Sequence, residues 1–386
     1  MHAWEMGNAS FDYFFFRENC AYHILALLGL ADPDLRLADR FWFYTFPSDG
    51  VRAIAKTPTL VQEAVFRPSR RTKILRGREA LSAGERDWLD KILNESKVAL
   101  SDSFARLTGA RQAAVLDVAS DYLLYKAATE SDPAPFETQN KTVLLARSQL
   151  RVSAPPVIYK PFSGPPDQGH KTMRVGLGVG WREREFFSEA NFRLAFHDLL
   201  DPEYGYTPDA QIEALSITLR HYPYRRHTRV ERATLLNITS LSPIDSLFMK
   251  PSWKIDTGMH TIEGNGCRFC RVGRVNGGIG VAAESHWLKR EVYFGFAETV
   301  NEYSRALERS YRIGGGLSLG ALFDITDRWK ISGSAAYLGF VAGDKTPEWR
   351  FTAQQRFSLH RNMALRLDFN QRATKQEYSL NVHFYF

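Results

Sequence analysis

The sequence predicts an α+β multidomain protein, with a mainly helical N-terminal part followed by an antiparallel transmembrane β-barrel of about 12 strands. Three observations carry that expectation. Apolar residues recur at helical spacing from Phe11 to about Leu150, and they alternate with polar residues from about His170 to Phe386. Between the two lies Ser153 to Gly169, whose five prolines (Pro155, Pro156, Pro161, Pro165, Pro166) allow neither a helix nor a central strand. The expected boundaries are therefore 1–152, a linker at 153–169, and 170–386.

In the first part, Pro33 and Pro47 break the chain on either side of the aromatic run Phe41 to Phe46. A helix is expected from Arg17 to Leu30, beginning at or near Cys20. Ser82-Ala-Gly-Glu85 has the spacing of a capping box, and the helix it opens carries Trp88, Leu89, Ile92 and Leu93. Thr108 or Gly109 opens a longer helix with Ala113, Leu116, Val118, Tyr122 and Leu123 on its buried stripe, ending before Ser131-Asp132-Pro133. A last helix spans roughly Glu137 to Leu150.

In the second part the expected strands are 171–182, 187–198, 211–222, 228–239, 250–262, 270–285, 288–300, 310–325, 329–341, 348–360, 362–373 and 377–386. Each is close to the length a tilted strand needs to cross hydrocarbon. Tyr378, Leu380, Val382, Phe384 and Phe386 alternate with Ser379, Asn381, His383 and Tyr385. Met173, Val175, Leu177, Val179 and Trp181 alternate with Arg174, Gly176, Gly178, Gly180 and Arg182. Val292, Phe294 and Phe296 oppose Tyr293, Gly295 and Ala297.

A soluble sandwich would also alternate, with its apolar face in a core. The barrel is favoured because glycines crowd the polar face (Gly176, Gly178, Gly180, Gly314, Gly316, Gly320). Aromatics also gather at strand ends (Trp181, Trp253, Trp287, Trp329, Trp349, Tyr385), as in interfacial girdles, and the last strand closes on an aromatic. The apolar face is then expected to meet lipid.

Composition alone would point elsewhere. The 386 residues are 44% hydrophobic and 24% charged, which excludes a disordered or collagen-like chain. No run of about 18 apolar residues exists to form a spanning helix. The charge of +7 is a small excess of 50 Lys and Arg over 43 Asp and Glu. The densest basic stretch, Arg67 to Arg78, reads as solvated surface, so nucleic acid is not an expected partner.

Site-level chemistry concentrates at Phe11-Asp-Tyr-Phe-Phe-Phe-Arg-Glu-Asn-Cys-Ala-Tyr-His23. A cysteine at a helix N-terminus meets unpaired amides and the positive end of the helix dipole, which favour the thiolate. Cys20 is thus a candidate nucleophile, and His23 shares its helical face. The alternative reading is a structural cysteine in an aromatic core.

FDYFFFRENCAYHILALL, DPDLRLADRFWFYTFPSDGVRAI and the preceding His2-Ala-Trp-Glu5 resemble the Lnb N-terminal periplasmic domain family. Phe196-His-Asp-Leu-Leu-Asp-Pro202, Tyr204-Gly-Tyr206, Gln211-Ile212, Ser240-Leu-Ser-Pro243 and Ser252-Trp253 resemble the barrel region that follows this domain in outer-membrane members. The resemblance implies part of a papain-like thiol domain acting as a lipoprotein N-acyltransferase. By it Cys20 matches the nucleophile, with Asn19 and Glu18 in the catalytic group and Tyr22 beside the substrate. It also implies an outer-membrane location with the N-terminal domain in the periplasm.

The family's histidine base is expected on an upstream Gly-His segment, and this sequence begins just before the cysteine motif, without the n-region and h-region of a signal peptide. The chain is therefore expected to be a fragment of a longer, active parent, inactive as it stands for want of its base, with His2 and His23 only weak substitutes. The expected reaction is acyl transfer from a phospholipid ester through a Cys20 thioester. A thiol hydrolase is the neighbouring alternative, and a pore or anchor without chemistry is the rival of a different class.

Membrane lipids and lipoproteins are the expected partners, a monomer is expected, and no cofactor or metal is implied. Cys267 and Cys270 suggest a surface disulfide, since zinc would need two further ligands. The long joints 197–209 and 240–252 are expected to face the periplasm and dock onto the helical domain. Asp198 and Asp201 read more plainly as a hydrogen-bonded turn than as part of the site.

Overall fold

The computed structural model describes the chain except residues 1–6, 8–9, 15–17, 42–43, 59 and 265–266, together with the side chains of 263–268. It divides into two compact units, Met1–Val61 with Ser163–Phe386, and Gln62–Phe162. The first 61 residues thus form one unit with the barrel, whereas the sequence alone groups them with the helices that follow.

In Gln62–Phe162 the helices are α3 (Arg70–Glu79), α4 (Ala83–Asn94), α5 (Gly109–Thr129) and α6 (Ala134–Gln149). The capping box forms: Glu85 N–H donates to the Ser82 hydroxyl at 3.4 Å, and Ser82 N–H donates to the Glu85 carboxylate at 2.7 Å. Arg111 also donates to Glu85, and that bond, against burial, holds the carboxyl down at about 2. Leu89, Ile92, Val115, Leu116, Leu123 and Val143 form the core, so the apolar stripes read from the sequence do meet one another. Helix α3 was not anticipated, because its Arg-rich run carries little apolar periodicity and only Ile74 and Gly77 are buried.

In the other unit, α1 (Cys20–Ala31) and α2 (Pro47–Ala55) precede the barrel. Pro47, expected to break the chain, occupies the first turn of α2, where a missing N–H costs nothing. The twelve strands are β1 (Arg174–Arg182), β2 (Glu185–His197), β3 (Ala210–Tyr222), β4 (His227–Ser240), β5 (Ser252–Gly264) and β6 (Cys267–Ser285), followed by β7 (Arg290–Tyr303), β8 (Tyr311–Asp324), β9 (Trp329–Gly343), β10 (Glu348–His360), β11 (Met363–Arg372) and β12 (Lys375–Tyr385). Each pairs antiparallel with its sequence neighbours, and β1 pairs with β12 to close the barrel.

Closure leaves no unpaired edge, which is the condition for a sheet in hydrocarbon. Leu177, Leu317, Leu319 and Val341 point outward as an apolar surface, while Arg174, Arg220, Glu302 and Asn381 on the opposite face are buried in the lumen. This is the reverse of a soluble sandwich, and the chain is an outer-membrane β-barrel protein. Among the described residues no helix is long and apolar enough to cross a membrane.

The lumenal glycines make room for rings. A Cβ at Gly180 would lie 2.5 Å from the Phe187 ring, and one at Gly320 would lie 2.5 Å from the Phe294 ring. Two expectations about facing are corrected. Tyr385 is buried and faces the lumen, where its hydroxyl donates to Asp201 at 2.5 Å, so it does not belong to an interfacial girdle. Val292, Phe294 and Phe296 also point inward and pack with Leu199, Leu241, Ala282 and Leu322. Alternation specifies two faces, and the infolded joints supply an apolar partner inside that decides which face turns in.

Candidate functional site

Helix α1 begins where the sequence expects it. Asn19 is the N-cap: its backbone is extended and its side-chain oxygen accepts from the amides of Ala21 at 3.0 Å and Tyr22 at 3.3 Å. Its amide nitrogen donates to the carbonyl of Thr45, which ties the start of α1 to the chain entering α2. Asn19 is buried, and Cys20, the next residue, is a free and exposed thiol. Asn19 thus satisfies two amides at the helix end, and the thiol next to it lies at the positive end of the helix dipole.

His23 lies on the same helix, and its N–H donates to the Asn19 carbonyl at 3.1 Å. Its ring packs 4.9 Å from that of Phe11 and 5.8 Å from that of Tyr22, and among the described residues its buried Nε2 has no hydrogen-bond partner. Glu18 and Tyr22 are half-buried on either side of the Asn-Cys pair. Among the described residues no hydrogen bond links Cys20 to a histidine, and His2 lies outside the described residues. Cys270 is disulfide-bonded, whereas the side chain of Cys267 lies outside the described ones.

What holds this thiol-bearing segment to the barrel was not read from the sequence. Phe46 is buried against Phe196 at 4.6 Å and beside Leu194, Ala195 and Ala214. Asp49 accepts from the Thr172 hydroxyl at 2.6 Å, and burial, the largest influence, raises its carboxyl above the usual range. Arg52 is buried, pairs with Asp49, and donates to the carbonyls of His170 at 2.9 Å and Asp167 at 3.2 Å. Main-chain carbonyls are present everywhere, so an arginine that binds them leaves no sequence signature.

The long joints line the barrel's own interior. Residues 197–209 turn into the periplasmic mouth of the barrel. Asp198 and Asp201 form the hydrogen-bonded turn, with Asp198 accepting from the amides of Leu200 and Asp201 at 3.0 Å. Their carboxylates then meet barrel arginines: Arg174 and Arg366 reach Asp198 at 2.7 and 2.6 Å, and Arg193 reaches Asp201 at 2.6 Å. Further round, Glu203 pairs with Lys330 and Asp209 with Arg290.

Tyr206 stacks on both His170 and His197, at 4.3 and 4.5 Å between centroids. Burial pushes His170 down to about 3, although Asp201 pulls it up. The 240–252 joint runs along the inner wall, where Ile244 N–H donates to the Ala282 carbonyl at 2.8 Å. Above these infolded joints the lumen encloses a cavity of about 780 Å³ that extends to residues of the outward turns.

Three family models match successive parts of the chain. The Lnb N-terminal periplasmic domain matches residues 1–57, the domain of unknown function DUF7842 matches 64–157, and the domain of unknown function DUF7840 matches 163–386. Among solved structures, the KdgM porin in complex with disordered oligogalacturonate covers 55% of this chain and 99% of its own, at 8% identity and a TM-score of 0.34. LpxR from Salmonella typhimurium covers 55% and 100%, at 9% identity and a TM-score of 0.33. Omp33 from Acinetobacter baumannii covers 56% and 99%, at 12% identity and a TM-score of 0.29. No curated protein matches the sequence.

Proposed function

We propose, from the premise that the chain belongs to the family of the domain of unknown function DUF7840, that its barrel is a membrane anchor holding a thiol acyltransferase segment on its periplasmic rim. The observation that carries this reading is Cys20, an exposed thiol at the first position of α1 with its helix start locked by Asn19. The match of residues 1–57 to a periplasmic domain family agrees with the side on which β1 begins and β12 ends.

In the proposed reaction the Cys20 thiolate attacks the carbonyl carbon of a phospholipid ester. The C–S bond forms, the ester C–O bond breaks, and the lysophospholipid alkoxide leaves with a proton from the base. An amine nitrogen, as on a lipoprotein N-terminus, then attacks the thioester carbonyl. The amide C–N bond forms, the thiolate departs, and the amine gives up a proton. The Cys20 backbone amide, which the Asn19 cap does not engage, is the donor offered to the oxyanion in each step. His23 is the histidine nearest in sequence that could carry the proton.

The test is intact mass of the purified chain after incubation with phospholipid vesicles. An acyl adduct released by hydroxylamine and missing from Cys20→Ala supports the reading. An adduct unaffected by that substitution overturns it.

A further inference from the structure

The chain enters the unit Gln62–Phe162 through 62–69, which runs straight into α3, and leaves it through 158–162, which lies back along the same helix. Together residues 62–79 and 158–162 carry seven Lys and Arg against two acids, Glu63 and Glu79. Two acids of α5 act on the same face. Asp121 lines a surface pocket with Arg67, Arg70 and Lys73, and Asp117 is taken by Arg147 of α6 at 2.7 Å. With these three groups counted, eight cations meet four acids, so the face keeps a net positive charge of four.

Apolar side chains stand exposed among these charges. Val65 and Ile158 are 74% and 79% exposed, with Phe66 and Phe162 exposed beside them. Arg76 holds the outgoing linker to α3: its Nε donates to the Lys160 carbonyl at 3.1 Å, and its guanidinium sits 4.0 Å from the centre of the Phe162 ring. Tyr159, raised by burial and then by the charge of Asp121, lies beside the pocket. Phe, Ile and Val interleaved with Arg and Lys are the composition of a surface that enters an anionic headgroup layer.

The covalent chain keeps this face near a membrane. The residue after Phe162 is Ser163, whose hydroxyl donates to the Glu203 carbonyl and accepts from Gly205 N–H, both at 2.9 Å, within the joint that turns into the periplasmic mouth. No more than about 18 Å of extended chain separates Ile158 from Ser163. We propose that the α3 face docks on the periplasmic leaflet, its cations against the phosphates of anionic phospholipids and Val65, Phe66, Ile158 and Phe162 in the headgroup boundary. A soluble acidic partner would answer the charge alone, whereas lipid also answers the exposed apolar groups and the short tether. The docking does not rest on the Cys20 chemistry.

The experiment uses the full chain in nanodiscs under non-reducing conditions. Cys20→Ser removes the free thiol, a bimane is placed on Val65→Cys or Ile158→Cys, and the quencher is a spin label high on the lipid acyl chain. Both positions are quenched in discs that contain phosphatidylglycerol. In pure phosphatidylcholine, or at high salt, quenching falls by about threefold or more. Arg67→Gln combined with Arg70→Gln and Lys73→Gln gives the same fall; the lipid and salt arms keep every charge, so misfolding of that variant cannot imitate the result. Quenching that ignores lipid charge and salt, or none in the anionic discs, overturns the proposal. A label shifted to the blue but unreached by the quencher shows protein on the face and overturns it too.

Discussion

The two ends of the barrel lumen use the same residue, arginine, to opposite effect. At the periplasmic end Arg174, Arg193 and Arg366 meet Asp198 and Asp201, acids carried by the chain's own infolded joint. At the outward end Arg232 and Arg274 share one acid, and a donor remains unused. The difference shows when a lumenal arginine is structural. The infolded 197–209 joint brings its acids into the periplasmic mouth, whereas the outward lumen, lined by strand acids, keeps a cavity of about 780 Å³.

The largest effect expected from breaking the comparison is at Arg193, whose side chain is fully buried. Arg193→Ala removes the closest cation from buried Asp201, leaving the Tyr385 hydroxyl and Arg174 at 3.5 Å, and is expected to cost about 3 kcal/mol in urea unfolding of the refolded barrel. A loss under 1 kcal/mol on the same assay would make the two ends equivalent.

Arg52 comes next. Its replacement by Ala removes charged hydrogen bonds to carbonyls of the 167–170 segment and is expected to release residues 1–61 to proteolysis, at about 1.5–3 kcal/mol. Unchanged cleavage would mean that Phe46 packing alone holds the segment.

The pH dependence is smaller. His170 is lowered to about 3 from 6.5, so below pH 6.5 the unfolded chain takes up a proton that the folded one refuses. Stability should therefore fall as pH drops from 6.5 towards 3, at up to about 1.4 kcal/mol per unit. Asp49, raised by burial, binds its proton first in the folded state and offsets part of this loss at the acid end. His170→Asn should flatten the slope measured by thermal unfolding across that range.

The smallest effect sharpens the contrast: Arg232 is half-exposed in the outward cavity, and Arg232→Ala should cost less than about 1 kcal/mol in the same urea assay.

Strands were legible because a period of two survives any error in hydropathy scale, and all twelve fall close to the expected spans. Which face turns inward was less legible. In β1 the inward glycines gave it away, but in β7 the aromatic face is lumenal because Leu199 and Leu241 fold back to meet it. Tyr385 was misassigned for the same reason, since its partner Asp201 lies 184 residues away. The Asn-Cys start of α1 was readable as a local cap, whereas the Arg52 anchor and the Arg366 contact to Asp198 in the mouth depend on pairs more than 100 residues apart in sequence.

The proposed anchor for the thiol segment requires that the chain's own acidic joint close the barrel to ions. Conductance of the purified full chain in planar bilayers tests it most directly. The account predicts no stable open channel for the wild type and steady conductance once residues 199–208 are replaced by a short glycine-serine turn. Steady conductance in the wild type would contradict it.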